Sequence, residues 1–214
     1  MDAELPRIWL ITDPAHPEGP VVPVIRALQP CRSARGVIGV QLRAKDATDR
    51  ELVAWGHSLR TATANAGALL TINRRPDVAQ IVGADGVHLP ERSLASDEIR
   101  SAFPDIRMIG ASRHDRSGLE RASAEGATFA FLSPVFPVPD KGEPMGIEGF
   151  THAIAHVVLP TYALGGIEIE HVRPLVAAGA RGIAVRRAIY RARQPAQALR
   201  AFLDELDKAV GRGE

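Results

Sequence analysis

The chain has 214 residues, with 26 Lys and Arg against 25 Asp and Glu and a formal net charge of +1. This balance argues against a general nucleic-acid or membrane surface, and no apolar stretch approaches the length needed to span a bilayer. A single cysteine, Cys31, excludes an intrachain disulfide and suits a reducing compartment. Because the N-terminus also shows no signal-peptide pattern, we expect a cytoplasmic protein.

Short apolar runs alternate with amphipathic stretches along the whole chain. The apolar runs predict strands over residues 8–11, 36–42, 68–72, 86–89, 107–110, 128–132, 161–164 and 182–185. The stretches between and after them predict helices over 20–28, 49–66, 75–82, 96–103, 117–125, 149–157, 169–178 and 196–210. Thr48 and Glu51 have the spacing of a capping box at the start of the second helix.

The predicted strands are apolar throughout rather than alternating, which is typical of a parallel sheet buried on both faces. Strict alternation of strand and helix favours one α/β domain over residues 1–214. Eight such units in this length fit a closed (β/α)8 TIM barrel. An open, doubly wound sheet is the structural alternative.

In such a barrel, functional side chains follow the strands. Arg43 and Lys45 lie two apart after the second strand and suit an anionic ligand. Asn73 follows the third strand, where it either binds a ligand or caps a helix. His114 follows the fifth strand; it is either a proton-transfer group or a surface histidine. Lys141 lies in the longest loop, 133–146, and is either a lid residue over a phosphate or an exposed lysine.

The last two loops predict a phosphate site. Gly165 and Gly166 follow the seventh strand, where glycine allows the backbone to approach a ligand. Arg186 and Arg187 follow the eighth strand, at a point where a helix start would offer free N–H groups. Phosphate sites in barrels often use these two loops.

Seven segments, in this order and spacing, resemble the superfamily of thiamine phosphate synthases and TenI-like thiazole tautomerases over nearly the whole chain. They are 41–45 (QLRAK), 72–79 (INRRPDVA), 83–89 (GADGVHL), 109–112 (IGAS), 134–137 (PVFP), 163–167 (ALGGI) and 182–185 (GIAV).

The resemblance implies one of two activities. The synthase branch joins a pyrimidine pyrophosphate to a thiazole phosphate and holds magnesium with two aspartates, whose positions here are Arg74 and Ser93. Guanidinium cannot ligate a cation and serine is a poor substitute for a carboxylate. Threonines of the synthase also correspond to Val138 and Asp140 here, and a strand-8 serine of both branches corresponds to Arg187. The tautomerase branch is the closer match, and its proton-transfer histidine corresponds to His114.

From this resemblance we expect an isomerase that aromatises a thiazole carboxylate phosphate by proton transfer, without metal or redox cofactor. His114 would be the acid/base; Gln41, Arg43, Lys45, Asn73 and Lys141 would hold the substrate, and Gly165, Gly166, Arg186 and Arg187 its phosphate. The alternatives are a divergent synthase, which alone would involve magnesium, and a non-catalytic binder. The expected partner is a small phosphorylated thiazole, with no nucleic acid and no membrane; homo-oligomerisation is left open.

Overall fold

The structure is a computed structural model that describes residues 5–31, 37–139 and 141–211. Eight parallel strands form a closed barrel in sequence order, so that β1 pairs with β2 on one side and with β8 on the other. The predicted TIM barrel is therefore confirmed, and the open-sheet alternative is wrong because the pairing of β8 with β1 leaves no sheet edge. Gly36 and Asp140 lie outside the described residues.

The strands are β1 (Ile8–Ile11), β2 (Ile38–Leu42), β3 (Leu69–Asn73), β4 (Gly86–Leu89), β5 (Met108–Arg113), β6 (Phe129–Leu132), β7 (Thr161–Leu164) and β8 (Gly182–Val185). The α-helices are α1 (Val22–Leu28), α2 (Asp49–Ala66), α3 (Pro76–Val82), α4 (Ser96–Ala102), α5 (Arg116–Ala124), α6 (Gly146–Ile154), α7 (Val172–Ala177), α8 (Arg187–Tyr190) and α9 (Pro195–Ala209). A 3₁₀ turn over Ile169–His171 precedes α7. No helix within the described ranges is long and apolar enough to cross a membrane.

Alternation along each strand divides the buried residues into two layers. In β1, Ile8 and Leu10 belong to the large cluster between strands and helices, whereas Trp9 and Ile11 belong to a smaller cluster inside the barrel. The inner cluster is rich in aromatic rings, with Trp9 stacked on Phe129 at a centroid distance of 4.9 Å. Its buried members are Trp9, Ile11, Met108, Phe129, Phe131, Tyr162 and Ala184.

The same alternation carries polar side chains to one end of the barrel. Gln41 lies two residues beyond Gly39, which pairs with Trp9, and Ser112 lies two beyond Gly110, which pairs with Phe129. Residues two apart on a strand face the same side of the sheet. The aromatic layer therefore supports a polar layer at the carboxyl ends of the strands, where barrels place their active sites.

Candidate functional site

A cavity of about 680 Å³ opens at the carboxyl ends of the strands. This volume falls in the range of ordinary small-molecule sites. All ten site residues predicted from the sequence line it; their individual roles stay predictions. They are Gln41, Arg43, Lys45, Asn73, His114, Lys141, Gly165, Gly166, Arg186 and Arg187.

Among the residues that the structure describes, the cavity is lined by six lysine and arginine side chains and by two carboxylates, those of Glu91 and Glu168. The buried hydroxyl of Thr12 holds the loop after β2 by accepting from the Arg43 amide at 2.8 Å and donating to the Arg43 carbonyl at 3.1 Å. Burial and the neighbouring Arg186 lower the pKa of Arg43. This concentration of positive charge makes the cavity a binding site for anions.

Lys141 lines the same cavity as these cations. Although much of its side chain is solvent-exposed, partial burial together with Arg43, Arg186 and Lys45 lowers the pKa of its ammonium from the usual 10.5. The four groups thus lie close enough to repel one another when no anion is bound.

The lowered pKa of Lys141 predicts a pH dependence. As pH rises through that pKa, Lys141 loses its charge earlier than an ordinary lysine, so affinity for an anion should fall at a pH below 10.5. Titration calorimetry with inorganic sulfate, whose charge is constant in alkaline solution, measures this loss. Lys141→Arg should flatten the profile because guanidinium stays charged. Identical profiles for the wild type, Lys141→Arg and the surface control Lys208→Arg would contradict the assignment.

Another part of the cavity lining is suited to a flat ring. Gln41 donates from Nε2 to Asn73 Oδ1 at 3.1 Å, which leaves the Gln41 carbonyl and the Asn73 amide as an acceptor and a donor. Ile11, Phe131, Leu164 and Ala184 supply apolar surface beside this pair. The cavity therefore combines an apolar floor, a polar edge and a cationic rim.

Ser112 forms a hydrogen bond with His88, a fully buried histidine whose Nε2 lies 2.9 Å from Ser112 Oγ. Burial, with Arg113 and Arg43, lowers the pKa of His88 to about 3, so the ring is neutral near pH 7. Nδ1 has no hydrogen-bond partner within the described part of the chain. An unpaired buried acceptor costs less than an unpaired N–H, so the proton belongs on Nε2, which donates to Ser112. The Ser112 hydroxyl is then free to donate into the cavity.

His114 is on the cavity wall, with Nδ1 donating to the backbone carbonyl of Ser133. Its Nε2 lies 3.5 Å from Glu91 Oε2. Because Nδ1 donates to Ser133, Nε2 is the ring nitrogen that remains to interact with Glu91 or with a ligand.

The loops after β7 and β8 close the cavity. Gly165 and Gly166 have φ values of 103° and 63°. A Cβ on Gly165 would lie 3.0 Å from Pro134 Cα, so this glycine is required by packing of the β6 loop as well as by backbone conformation. The helix predicted after β8 to supply free N–H groups is the single turn α8, so its dipole contributes little. Anion affinity at β8 must come chiefly from Arg186 and Arg187.

Sequence reasoning missed several lining residues, among them Ser112, Ser133, Glu91 and Arg191. Arg191 could have been found, because it lies four residues after Arg187, on the same side of a helical turn. Ser112 was missed because the predicted strand ended with the apolar run at Gly110, whereas β5 continues to Arg113.

The aspartate positions of the synthase branch are not built for a metal ion. Arg74 and Ser93 are both exposed, and neither lines the cavity. Within residues 5–31, 37–139 and 141–211 no group of three or more His, Cys, Asp or Glu side chains is arranged to hold a metal. Magnesium prefers carboxylate oxygens, so the donor set does not fit it.

The fold and the cavity define a (β/α)8 barrel with a cationic small-molecule site at the carboxyl ends of its strands. The family model described as thiamine monophosphate synthase matches residues 8–189. The chain belongs to this family, which agrees with the predicted small phosphorylated ligand.

Individual relatives carry the same name. The chain is 40% identical over 173 residues to a putative thiamine-phosphate synthase of Geobacter sulfurreducens, covering 79% of this chain and 81% of that protein. It is 38% identical over 184 residues to a thiamine-phosphate synthase of Methanoculleus marisnigri, covering 85% and 87%. The solved thiamine phosphate pyrophosphorylase from Pyrococcus furiosus superposes with a TM-score of 0.86 at 29% identity, covering 98% of both chains.

These comparisons correct the choice of branch. The expected thiazole tautomerase, an isomerase, is wrong, because relatives and structural neighbour alike are named as synthases or pyrophosphorylases and none points to a tautomerase. The choice rested partly on Arg74 and Ser93, which are exposed and lie outside the cavity lining. It also rested on Val138 and His114, which line the cavity, and on Asp140, which lies outside the described residues.

Proposed function

We propose that the protein is a transferase that joins a pyrimidine diphosphate to a thiazole phosphate. The observation that carries the proposal is the cationic cavity, in which six basic side chains surround an apolar floor. Both substrates combine a flat ring with a phosphate ester, and the cavity offers both kinds of surface. The named synthases among the relatives support the same reaction.

The reaction sets clear demands on the site. The thiazole nitrogen uses its lone pair to form a bond to the methylene carbon of the pyrimidine. The bond between that carbon and the diphosphate oxygen breaks, and the diphosphate leaves with the electron pair. The products are a thiazolium and free diphosphate, and no proton has to move. Catalysis therefore consists of aligning two rings and stabilising the negative charge that develops on the leaving oxygen.

The cavity residues divide between these demands. Arg43, Lys45 and Lys141 are the cations we assign to the diphosphate, because they converge from the β2 and β6 loops. Arg187, with the loop of Gly165 and Gly166, is assigned to the thiazole phosphate, in keeping with phosphate sites at the last two loops of barrels.

Ring recognition falls to the polar edge of the cavity. An aminopyrimidine presents an N–H donor beside a ring-nitrogen acceptor, which complements the Gln41 carbonyl and the Asn73 amide. His114 and Ser112 then act as hydrogen-bonding groups near the leaving diphosphate, because the coupling needs no acid/base at carbon.

The test is direct coupling. Purified protein is incubated with the pyrimidine diphosphate and the thiazole phosphate, and both thiamine phosphate and released diphosphate are quantified. Equal amounts of the two products, absent when either substrate is omitted, are the expected result. Release of diphosphate without thiamine phosphate, or binding without either product in buffers with and without magnesium, would overturn the transferase assignment.

A further inference from the structure

Basic side chains outnumber carboxylates among the described residues that line the cavity. We infer that side-chain cations alone neutralise the diphosphate, so that neither its binding nor the coupling needs a divalent metal ion. The inference rests on the proposed function for the identity of the ligand, but its central measurement is independent of turnover.

At the two positions where the resemblance places magnesium-binding aspartates, the chain has Arg74 and Ser93. Arg74 has a φ of 66°, a conformation that aspartate and asparagine adopt more readily than arginine. The side chain at this position is an exposed arginine. Among the described residues, the lining carboxylates are Glu91 and Glu168, from the loops after β4 and β7. In the part of the chain that the structure describes, neither belongs to a group of three or more His, Cys, Asp or Glu side chains that could hold a metal ion.

The cations, in contrast, converge. Arg43, Lys45, Lys141 and Arg186 lie close enough that the other three all act on Lys141. The positive charge of Arg186 is partly neutralised by Asp13, because Asp13 Oδ2 lies 3.8 Å from Arg186 Nε. Within the described ranges, the other five lining cations have no carboxylate within 4.0 Å; they are Arg43, Lys45, Lys141, Arg187 and Arg191.

The arginines after β8 add charge at a position where the resemblance places a serine, that of Arg187. Guanidinium binds phosphate oxygens through two parallel hydrogen bonds and remains charged at all physiological pH values. Fixed arginine and lysine clamps serve the same electrostatic purpose as magnesium on a leaving phosphate group. Because magnesium bound to diphosphate cancels part of the ligand charge, adding it should weaken rather than strengthen attraction to this cavity.

The experiment measures binding of inorganic pyrophosphate by titration calorimetry, in buffer freed of metal by a chelating resin and in the same buffer with magnesium chloride. We expect binding in metal-free buffer that magnesium leaves unchanged or weakens. Arg43→Gln should weaken metal-free binding about tenfold, because it removes one charge-assisted hydrogen bond to the pyrophosphate. The matched control Arg50→Gln, in an exposed residue of α2 outside the cavity lining, should leave it unchanged. Thermal melting verifies that each variant is folded.

Magnesium that tightens pyrophosphate binding tenfold or more, or absence of binding in metal-free buffer, overturns the inference. Equal affinities of Arg43→Gln and Arg50→Gln overturn the assignment of Arg43 to the diphosphate. The coupling assay separates this result from the proposed function. Coupling that occurs only with magnesium would support the proposed transferase activity and contradict the inference of metal-independent binding. Pyrophosphate binding in metal-free buffer without any coupling would support the cationic diphosphate site and contradict the proposed transferase activity.

Discussion

Lys141→Gln should lower the rate of coupling about 100-fold, the usual loss when one preorganised charge-stabilising group is removed from an active site. Lys141 lines the cavity together with Arg43 and Arg186, and these cations lower its pKa. Their repulsion in the free protein is relieved when a diphosphate enters, and relieved further as charge builds on the leaving oxygen. Interactions that strengthen in the transition state act on kcat more than on KM.

Steady-state kinetics of coupling, with thiamine phosphate as the readout, measure this loss. Lys141→Arg should restore part of the rate because it restores the charge, although guanidinium differs from ammonium in shape. Lys208→Gln removes an exposed lysine that bonds Glu205 on the surface, and should leave kcat unchanged. A coupling rate for Lys141→Gln equal to that of Lys208→Gln would contradict the assignment of Lys141 to the diphosphate site.

The sequence predicts the barrel well because its strands are continuous apolar runs. The predicted bounds of β1, β4, β7 and β8 agree with the structure, as do those of α2, where Thr48 and Glu51 form the expected capping box. Disagreement occurs where polar residues extend an element. β5 continues through Ser112 to Arg113 because Arg113 is buried and donates to the Gly118 and Ser112 carbonyls, which an apolar pattern does not reveal.

The position of the site is also predictable from the sequence, because the carboxyl ends of parallel strands meet at one end of a barrel. This topology alone brings Arg43, Asn73, Lys141 and Arg187 to one cavity from loops far apart in the chain. The reaction is less predictable. Side-chain charge identifies an anion site, but isomerase and transferase both need one. Of the residues used to choose between them, Arg74 and Ser93 lie outside the cavity, and a lining histidine such as His114 suits either reaction.

Trp9→Ala should destabilise the protein by about 3–5 kcal/mol, the range for a large aromatic removed from a core. Trp9 is fully buried inside the barrel, stacked on Phe129 and in edge contact with Phe131 and Tyr162 at centroid distances of 5.8 and 6.3 Å. A closed barrel cannot collapse onto the space without breaking strand pairing, so the void should persist. Against a typical total stability of about 5–15 kcal/mol, the loss is large.

Urea denaturation followed by circular dichroism measures the free energy of unfolding. The chain offers a matched control, because its other tryptophan, Trp55, is only half-buried on α2. Trp55→Ala should lower the free energy of unfolding by clearly less than Trp9→Ala does, because removing a half-buried ring leaves no enclosed void. Because Phe131 also lines the cavity, Trp9→Ala should weaken ligand binding at temperatures where the protein remains folded. Equal losses of stability for the two variants would contradict the packing role of Trp9.

Gly39 allows a stricter test of the same packing. A Cβ at Gly39 would lie 2.4 Å from the Trp9 ring, so Gly39→Ala alone should destabilise the protein by forcing the indole to move. In the Trp9→Ala background that clash is absent and the added methyl enters the void. The double variant should therefore be more stable than the sum of the single changes predicts, with a coupling free energy of about 0.5–3 kcal/mol. Simple additivity would mean that the barrel interior rearranges around Trp9 instead of holding it in a fixed, close-packed layer beneath the cavity.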